Sequence, residues 1–206
     1  RGENLGAAGT CFTRLNECAG KGLEKARVAL SSYTGKDLKL GGYKVSLVDL
    51  RDVPLLAGDP EAPVLASYSS LDGEFEGQLM MLFRPDSAEG LVEFLLPEVL
   101  SGIEPDEMPD LLDSLILEVA NVVGSSLINA IADGARTSIL PSPPVLVKDM
   151  AGAILGSALS YSGLQDAIYV VHIQYSLKGG RATFEIVFLP KMSSIQSLFT
   201  GDGLGG

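Results

Sequence analysis

The chain has 206 residues, and its 15 lysines and arginines against 26 aspartates and glutamates give a formal net charge of −11. An acidic surface of this kind repels phosphate backbones, which excludes a nucleic-acid binder that depends on counterion release. Hydrophobic residues make up 46% of the chain, enough to exclude a mostly disordered protein. One histidine and two cysteines exclude a multi-histidine or four-cysteine metal site, and no metal is assigned to the chain.

The sequence predicts a cytoplasmic protein without membrane insertion. No uninterrupted apolar run of about 18 residues occurs, which is the length that a membrane span requires. The first residues also lack the apolar segment of a secretory signal. Both ends are rich in glycine and are expected to be flexible.

In chain order, the first half is predicted to hold a helix, three strands and a second helix. Apolar residues recur at helical spacing over about 11–33 and stop before Gly35. Alternating or continuous apolar residues predict strands at about 38–50, 64–68 and 77–83. Asp72-Gly73 is a hairpin signal between the last two strands, and a short helix is predicted at about 88–96.

The second half follows a similar order. Its long helix is predicted over about 110–133, with Pro109 tolerated in the first turn and Gly134 at the end. The later elements are extended chain at 137–147, a helix at 149–159, and strands at 167–177 and 182–188. The hairpin signals favour antiparallel pairing, with helices covering the sheet.

Two short matches indicate an internal duplication. Leu82–Pro85 and Val187–Pro190 are both apolar strands ended by proline, at an offset of 187 − 82 = 105 residues. Glu17 and Glu118, with the alanines that follow each of them, match at an offset of 118 − 17 = 101. We therefore predict an α/β protein of the α+β type, a single domain over residues 1–206. It consists of two fused helix–strands–helix halves, about 11–100 and 108–200, related by a pseudo-twofold axis around an antiparallel sheet covered by helices.

The long helix of the second half carries few polar residues, and four of them share one face. Ser114, Glu118, Asn121 and Ser125 are spaced i, i+4, i+7 and i+11. Glu118 is the only ionisable residue between Asp113 and Asp133. A narrow solvated stripe on a core helix explains this pattern, and so does a site that presents one acid and one amide to a partner.

Residues beyond the stripe favour the second interpretation. The spacing Ser114-x3-Glu118-x2-Asn121-x22-Pro144 resembles the motif of the CheC/CheX/FliY family of response-regulator phosphatases. The flanking segments resemble the family too, namely 118–127, 140–144 and 149–154. The length and the two-half organisation are CheC-like, while the CheX and FliY subfamilies stay open.

The resemblance implies a hydrolase of two-component chemotaxis signalling that removes phosphate from the aspartyl phosphate of a CheY-like response regulator. Asn121 would orient the attacking water, and Glu118 would dock on the active-site lysine of the receiver. The receiver supplies the Mg²⁺, so the chain needs no cofactor of its own. Ser114 and Pro144 would support the motif, with Pro144 shaping the strand next to the helix.

The first half departs from this pattern. Its matching positions read Thr13-x3-Glu17-x2-Gly20, with Tyr43 where proline is expected. Glu17 keeps the acid, but glycine has no side chain that could hold a water molecule. The first half is therefore predicted to carry a degenerate site.

A non-catalytic interaction module is the alternative function. The resemblance includes the FliM middle domain of the flagellar switch, which keeps no such site, and CheC-type members that bind the deamidase CheD. The helix starting at Asp149 is a candidate CheD contact, although packing against the sheet explains it as well. His172, Cys11 and Cys18 are predicted to be structural.

Overall fold

The computed structural model describes residues 3–161, 170–178, 183–191 and 194. In chain order the elements are α1 (Glu3–Thr34), β1 (Leu40–Val48), a 3₁₀ turn (Leu50–Leu55), β2 (Pro63–Gly73), β3 (Gly77–Phe83), α2 (Pro85–Leu95), α3 (Pro97–Leu100), α4 (Met108–Ala135), β4 (Ile139–Pro141), β5 (Val145–Met150), α5 (Ala151–Tyr161), β6 (Val170–Leu177) and β7 (Thr183–Pro190).

The seven strands form one antiparallel sheet in the order β1-β6-β7-β3-β2, with β4 and β5 both paired to the outer edge of β2. If β1 is exchanged with β5, β2 with β6 and β3 with β7, the strand order reads the same from the opposite edge of the sheet. A pseudo-twofold axis therefore passes between the central strands β3 and β7. The predicted α+β class, an antiparallel sheet with helices packed on it, is confirmed.

The two long helices pack side by side on one face of the sheet. Gly22 of α1 faces the backbone of Leu127 of α4, and Cys18 contacts Gly134, so the helices run antiparallel. Their apolar sides join α2 and the inward residues of the sheet in the larger core cluster. This packing buries one side of each long helix and leaves the other side in contact with solvent.

The opposite face of the sheet carries a smaller cluster. Leu155 of α5 and Val53 of the 3₁₀ turn are fully buried against Met80 of β3 and Val187 of β7. The turn and α5 occupy matching places in the two halves, since the turn joins β1 to β2 and α5 joins β5 to β6. Each connection thus crosses the sheet from an edge strand to the strand beside the opposite edge.

Among the described residues, α4 is the one helix whose length and hydropathy would suffice to cross a membrane, and 56% of its apolar window is buried inside the fold. Its apolar residues meet α1 and the sheet, as in the central helix of a folded core. Packing inside the fold thus explains why α4 is so apolar.

The hairpin between β2 and β3 differs from the prediction. Leu71, Asp72 and Gly73 belong to β2 and pair with β4, so the chain turns at residues 74–76 instead. Gly73 has a φ of +112°, and a Cβ there would lie 2.8 Å from the carbonyl oxygen of Ser138. Glycine thus permits a close approach between two strands at this point.

Two further element boundaries predicted from the sequence were wrong. Asp149 was expected to begin a helix, but it pairs with Val64 in β5, and α5 begins at Ala151. The strand expected over 38–50 ends at Val48, because the 3₁₀ turn begins at Leu50. In both places pairing in the sheet fixed the boundary. The N-terminal glycines Gly6 and Gly9, expected to be flexible, belong to α1, which begins at Glu3 and not near residue 11. The predictions for residues 167–169, for the turn at 179–180, for most of the segment after Pro190 and for the C-terminal residues lie outside the described residues.

Candidate functional site

The four polar residues of the stripe lie on the side of α4 that is turned away from the core. Ser114 and Asn121 are exposed, and Glu118 and Ser125 are half-buried. Their immediate neighbours, Leu115, Ile116, Val119 and Ala120, are buried. Seven residues at 1.5 Å each separate Ser114 from Asn121 by about 10 Å along the helix axis. Glu118 lies between them, so an acid and an amide face solvent one turn apart.

Neither Glu118 nor Asn121 has a hydrogen-bond or salt-bridge partner within the described part of the chain. The carboxylate and the carboxamide therefore retain their hydrogen-bonding capacity for water or for another molecule.

Pro144 lies in the short gap between β4 and β5, at the edge of the sheet beside α4. Lys148 Nζ is 2.7 Å from Asp113 Oδ2, which ties β5 to the beginning of α4. Pro144 directly precedes the strand whose Lys148 is tied in this way to the first turns of α4.

A pair of hydrogen bonds fixes the segment that contains Pro144. The Ser142 N–H donates to the Ser70 carbonyl oxygen at 2.8 Å, and the Ser70 N–H donates to Ser142 Oγ at 3.0 Å. The prolines around Ser142 have no N–H, so this serine supplies the contacts that hold the segment on β2. Sequence reasoning missed both Ser142 and the Asp113–Lys148 pair. The serine between prolines is visible in the sequence and could have been singled out there. The ion pair could not, because it joins two elements that only the fold brings together.

The first half has no equivalent of this surface. Glu17 is exposed on α1, but a Cβ at Gly20 would lie 2.5 Å from the hydroxyl oxygen of Tyr43. The tyrosine thus fills the space in which an amide side chain would begin. Because α1 and α4 are antiparallel, with Cys18 beside Gly134, Glu17 and Glu118 lie near opposite ends of the helix pair.

The remaining candidates contribute nothing to the stripe. His172 pairs with Ser46 and Val187 in the middle of the sheet, and its side chain lies outside the described residues, as does that of Cys11. Burial raises the pKa of the Cys18 thiol, which is half-buried beside Gly134. No group of three or more metal-ligating side chains occurs within the described ranges. The helix α5 packs against the sheet through Leu155 and Ala158.

No protein-family profile matches the chain. The chain is 21% identical over 145 residues to the CheY-P phosphatase CheC of Bacillus subtilis, covering 70% of this chain and 69% of that protein.

Solved structures share the fold at low sequence identity. FliY of Thermotoga maritima superposes with a TM-score of 0.62 at 12% identity, covering 93% of this chain and 95% of FliY. The FliM middle domain of H. pylori has a TM-score of 0.54 at 12% identity, with 93% and 98% of the two chains covered. A chain of the CheX–CheY–BeF3–Mg²⁺ complex of Borrelia burgdorferi has a TM-score of 0.52 at 12% identity, with 84% and 96% covered.

An antiparallel sheet with two long helices around a pseudo-twofold axis, shared with these structures, defines a protein of the CheC/CheX/FliY fold. In sequence the chain is similar to CheC over most of its length, in agreement with this fold.

Proposed function

We propose that this protein is a phosphatase that hydrolyses the aspartyl phosphate of a CheY-like response regulator. The observation that carries the proposal is the exposed stripe on α4, where Glu118 and Asn121 face solvent one turn apart on an otherwise apolar helix. The match to a CheY-P phosphatase supports the same reaction.

The proposed reaction requires few catalytic groups from the phosphatase itself. Water attacks the phosphorus in line with the aspartyl oxygen, the P–O bond to that oxygen breaks, and the receiver recovers its carboxylate as inorganic phosphate leaves. The receiver's own Mg²⁺ stabilises the charge that develops on the phosphoryl oxygens. What remains to be supplied is an oriented water molecule, and positioning alone accelerates such reactions considerably.

Asn121 is assigned to the water. Its carboxamide oxygen accepts a hydrogen bond from the water, while its NH₂ group donates to the phosphoryl group or its surroundings. Both roles are open to Asn121, because it is exposed and has no partner in the described part of the chain.

Glu118 is assigned to docking. A half-buried carboxylate without an internal partner is suited to pair with the lysine that receiver domains carry beside the phosphorylated aspartate. That pair would set the angle at which α4 enters the receiver site and thus the position of Asn121. Ser114 and the proline segment held by Ser142 would border the same contact surface.

The proposal places the protein in the cytoplasm, with a phosphorylated CheY-like receiver as its substrate and CheD as a candidate second partner. A non-catalytic interaction module is the second candidate, and the likeness to the FliM middle domain favours it. Such a module would bind its partner without accelerating the loss of phosphate.

One experiment separates these functions. A CheY-like receiver is phosphorylated with acetyl phosphate, and release of inorganic phosphate is followed with and without catalytic amounts of this protein. A phosphatase accelerates release far above the receiver's own rate and turns over many times. Binding to the BeF3-activated receiver without acceleration supports the interaction module and contradicts the proposed reaction.

A further inference from the structure

The two edges of the sheet differ in how readily they can pair with a further strand. β4 and β5 form one edge, which is interrupted by Pro141, Pro143 and Pro144, and proline has no N–H to donate. The Met150 N–H at this edge is also occupied, because it donates to Oδ1 of Asp149 at 2.7 Å. Such features commonly protect the sheet edges of natural proteins from pairing with another chain.

β1 forms the opposite edge and contains no proline. After a register shift between Leu40 and Gly42 it pairs regularly with β6 over residues 43–48, and no other described strand pairs with it. In an antiparallel pair every second residue directs its N–H and C=O away from the neighbouring strand. None of residues 43–48 makes a hydrogen bond outside this pairing within the described part of the chain. The outward backbone groups of β1 can therefore bond to an added strand.

The side chains of β1 present different chemistry on the two faces of the sheet. Tyr43 is turned towards α1, where its hydroxyl lies against Gly20, and the exposed Glu17 lies one turn away on that helix. Lys44 faces the other side, since successive side chains alternate along a strand. It is exposed and has no salt-bridge partner in the described ranges. An added strand would thus meet a ring and an acid on one face and an unpaired cation on the other.

The distribution of charge favours an acidic partner at this edge. Residues 1–45 contain eight lysines and arginines and four acids, a net charge of 8 − 4 = +4, so the remainder of the chain carries −11 − 4 = −15. An acidic segment is repelled by much of the molecule and is attracted to this part of it. A second copy of β1 is less suited, because it would bring its own lysine close to Lys44, and like charges on neighbouring strands are unfavourable.

We propose that β1 is a docking edge for an extended acidic segment of a partner protein, which adds to the sheet as a further strand. The acids of that segment lie on the Lys44 side, and its apolar residues lie on the Tyr43 side. Main-chain hydrogen bonds to β1 provide the affinity, and the two faces select the alternation of acidic and apolar residues. The edge lies across the sheet from β5, and this inference does not rest on the proposed phosphatase activity.

The probe is a short acetylated peptide that alternates valine and glutamate. We expect saturable binding to the unaltered protein, with slower amide hydrogen exchange in β1. Two isomers of the peptide, N-methylated on every valine or on every glutamate, have the same composition and charge. Because the N–H groups of alternate residues point to opposite sides of a strand, one isomer should lose affinity by about tenfold or more, and the other should bind almost as the parent peptide does.

Two variants test the charge contact. Lys44→Glu should lower the affinity for the valine–glutamate peptide by about fivefold, because it places like charges on neighbouring strands. Lys148→Glu is the matched control, since it makes the same change of net charge at an exposed lysine on the opposite edge of the sheet. It should bind the peptide as the parent protein does.

Four results would overturn the proposal. They are the absence of saturable peptide binding, equal affinity for the two methylated isomers, equal affinity of the two variants, and exchange protection confined to residues outside β1. Sedimentation of the protein alone tests the other occupant. A dimer whose formation protects the amides of β1 would assign this edge to a second copy and contradict the proposal.

Discussion

Asn121 is exposed on α4 and bonds to nothing in the described part of the chain, so its side chain contributes little to folding. We expect Asn121→Ala to lower steady-state phosphate release from a phosphorylated receiver by roughly 100-fold, the usual effect of losing one well-placed polar group at a reacting centre. The thermal midpoint and the affinity for the BeF3-activated receiver should stay close to those of the parent protein. Near-normal turnover by a folded variant would contradict the assignment.

Glu118 and Glu17 form a matched pair, since they hold the same place in the two halves. Glu118→Ala should weaken binding to the activated receiver as well as turnover, because losing one partner of a desolvated charge pair costs about 2–5 kcal/mol. Glu17→Ala removes an exposed acid near the other end of the helix pair and should change neither quantity. Titration of the receiver together with phosphate release distinguishes the two. A large loss with Glu17→Ala would show that the site lies in the first half.

Tyr43 lies against Gly20 in the first half, at the position where the second half carries Pro144. Gly20→Asn restores the acid–amide spacing, but the Cβ of the new residue would lie 2.5 Å from the Tyr43 hydroxyl oxygen. The ring must therefore move before the amide can face solvent. We expect no gain in phosphate release when Gly20→Asn is introduced into the Asn121→Ala background. Recovery of activity would mean that the first site is intact apart from its amide.

The two long helices depend on a close contact that glycine permits. At Gly22 an added Cβ would lie 2.7 Å from Leu127 Cα and 3.0 Å from the Ser126 carbonyl oxygen. Since both atoms are backbone, Gly22→Ala must separate α1 from α4 and should lower the free energy of unfolding by about 1–3 kcal/mol.

Gly156 of α5 is the matched control for Gly22. It also lies in a helix, but an added Cβ would meet nothing within 4 Å. Gly156→Ala should raise the free energy of unfolding by up to about 1 kcal/mol, because alanine is the better helix former. Urea denaturation of both variants at 25 °C gives the comparison. Equal effects in the two helices would argue against the close approach of α1 and α4.

For the molecule as a whole, the central β3–β7 pair joins one strand from each half, and the larger core cluster draws residues from both. Neither half can therefore keep its sheet and core if the other unfolds. We expect one cooperative thermal transition, with coincident curves for backbone circular dichroism and for tyrosine absorbance. Two separated transitions would show that the halves fold as independent units.

Much of the architecture could be predicted from the sequence. The period of apolar residues in α4 predicted both its length and the single face shared by Ser114, Glu118 and Asn121, since helical geometry relates those positions without reference to any other element. Two short matches between the halves predicted the duplication, which the reversed strand order of the sheet displays.

Only the tertiary structure decided features that depend on partners distant in the chain. Asp149 lies in a strand because Val64 pairs with it, and Asp72-Gly73 extends β2 because β4 adds to that edge. The Tyr43 side chain meets Gly20, and Lys148 meets Asp113, through contacts between separate elements. Local patterns determine which face of an element is apolar because the backbone repeats at fixed intervals. Which side chain fills a given space is set by packing across the core, and no local pattern carries that information.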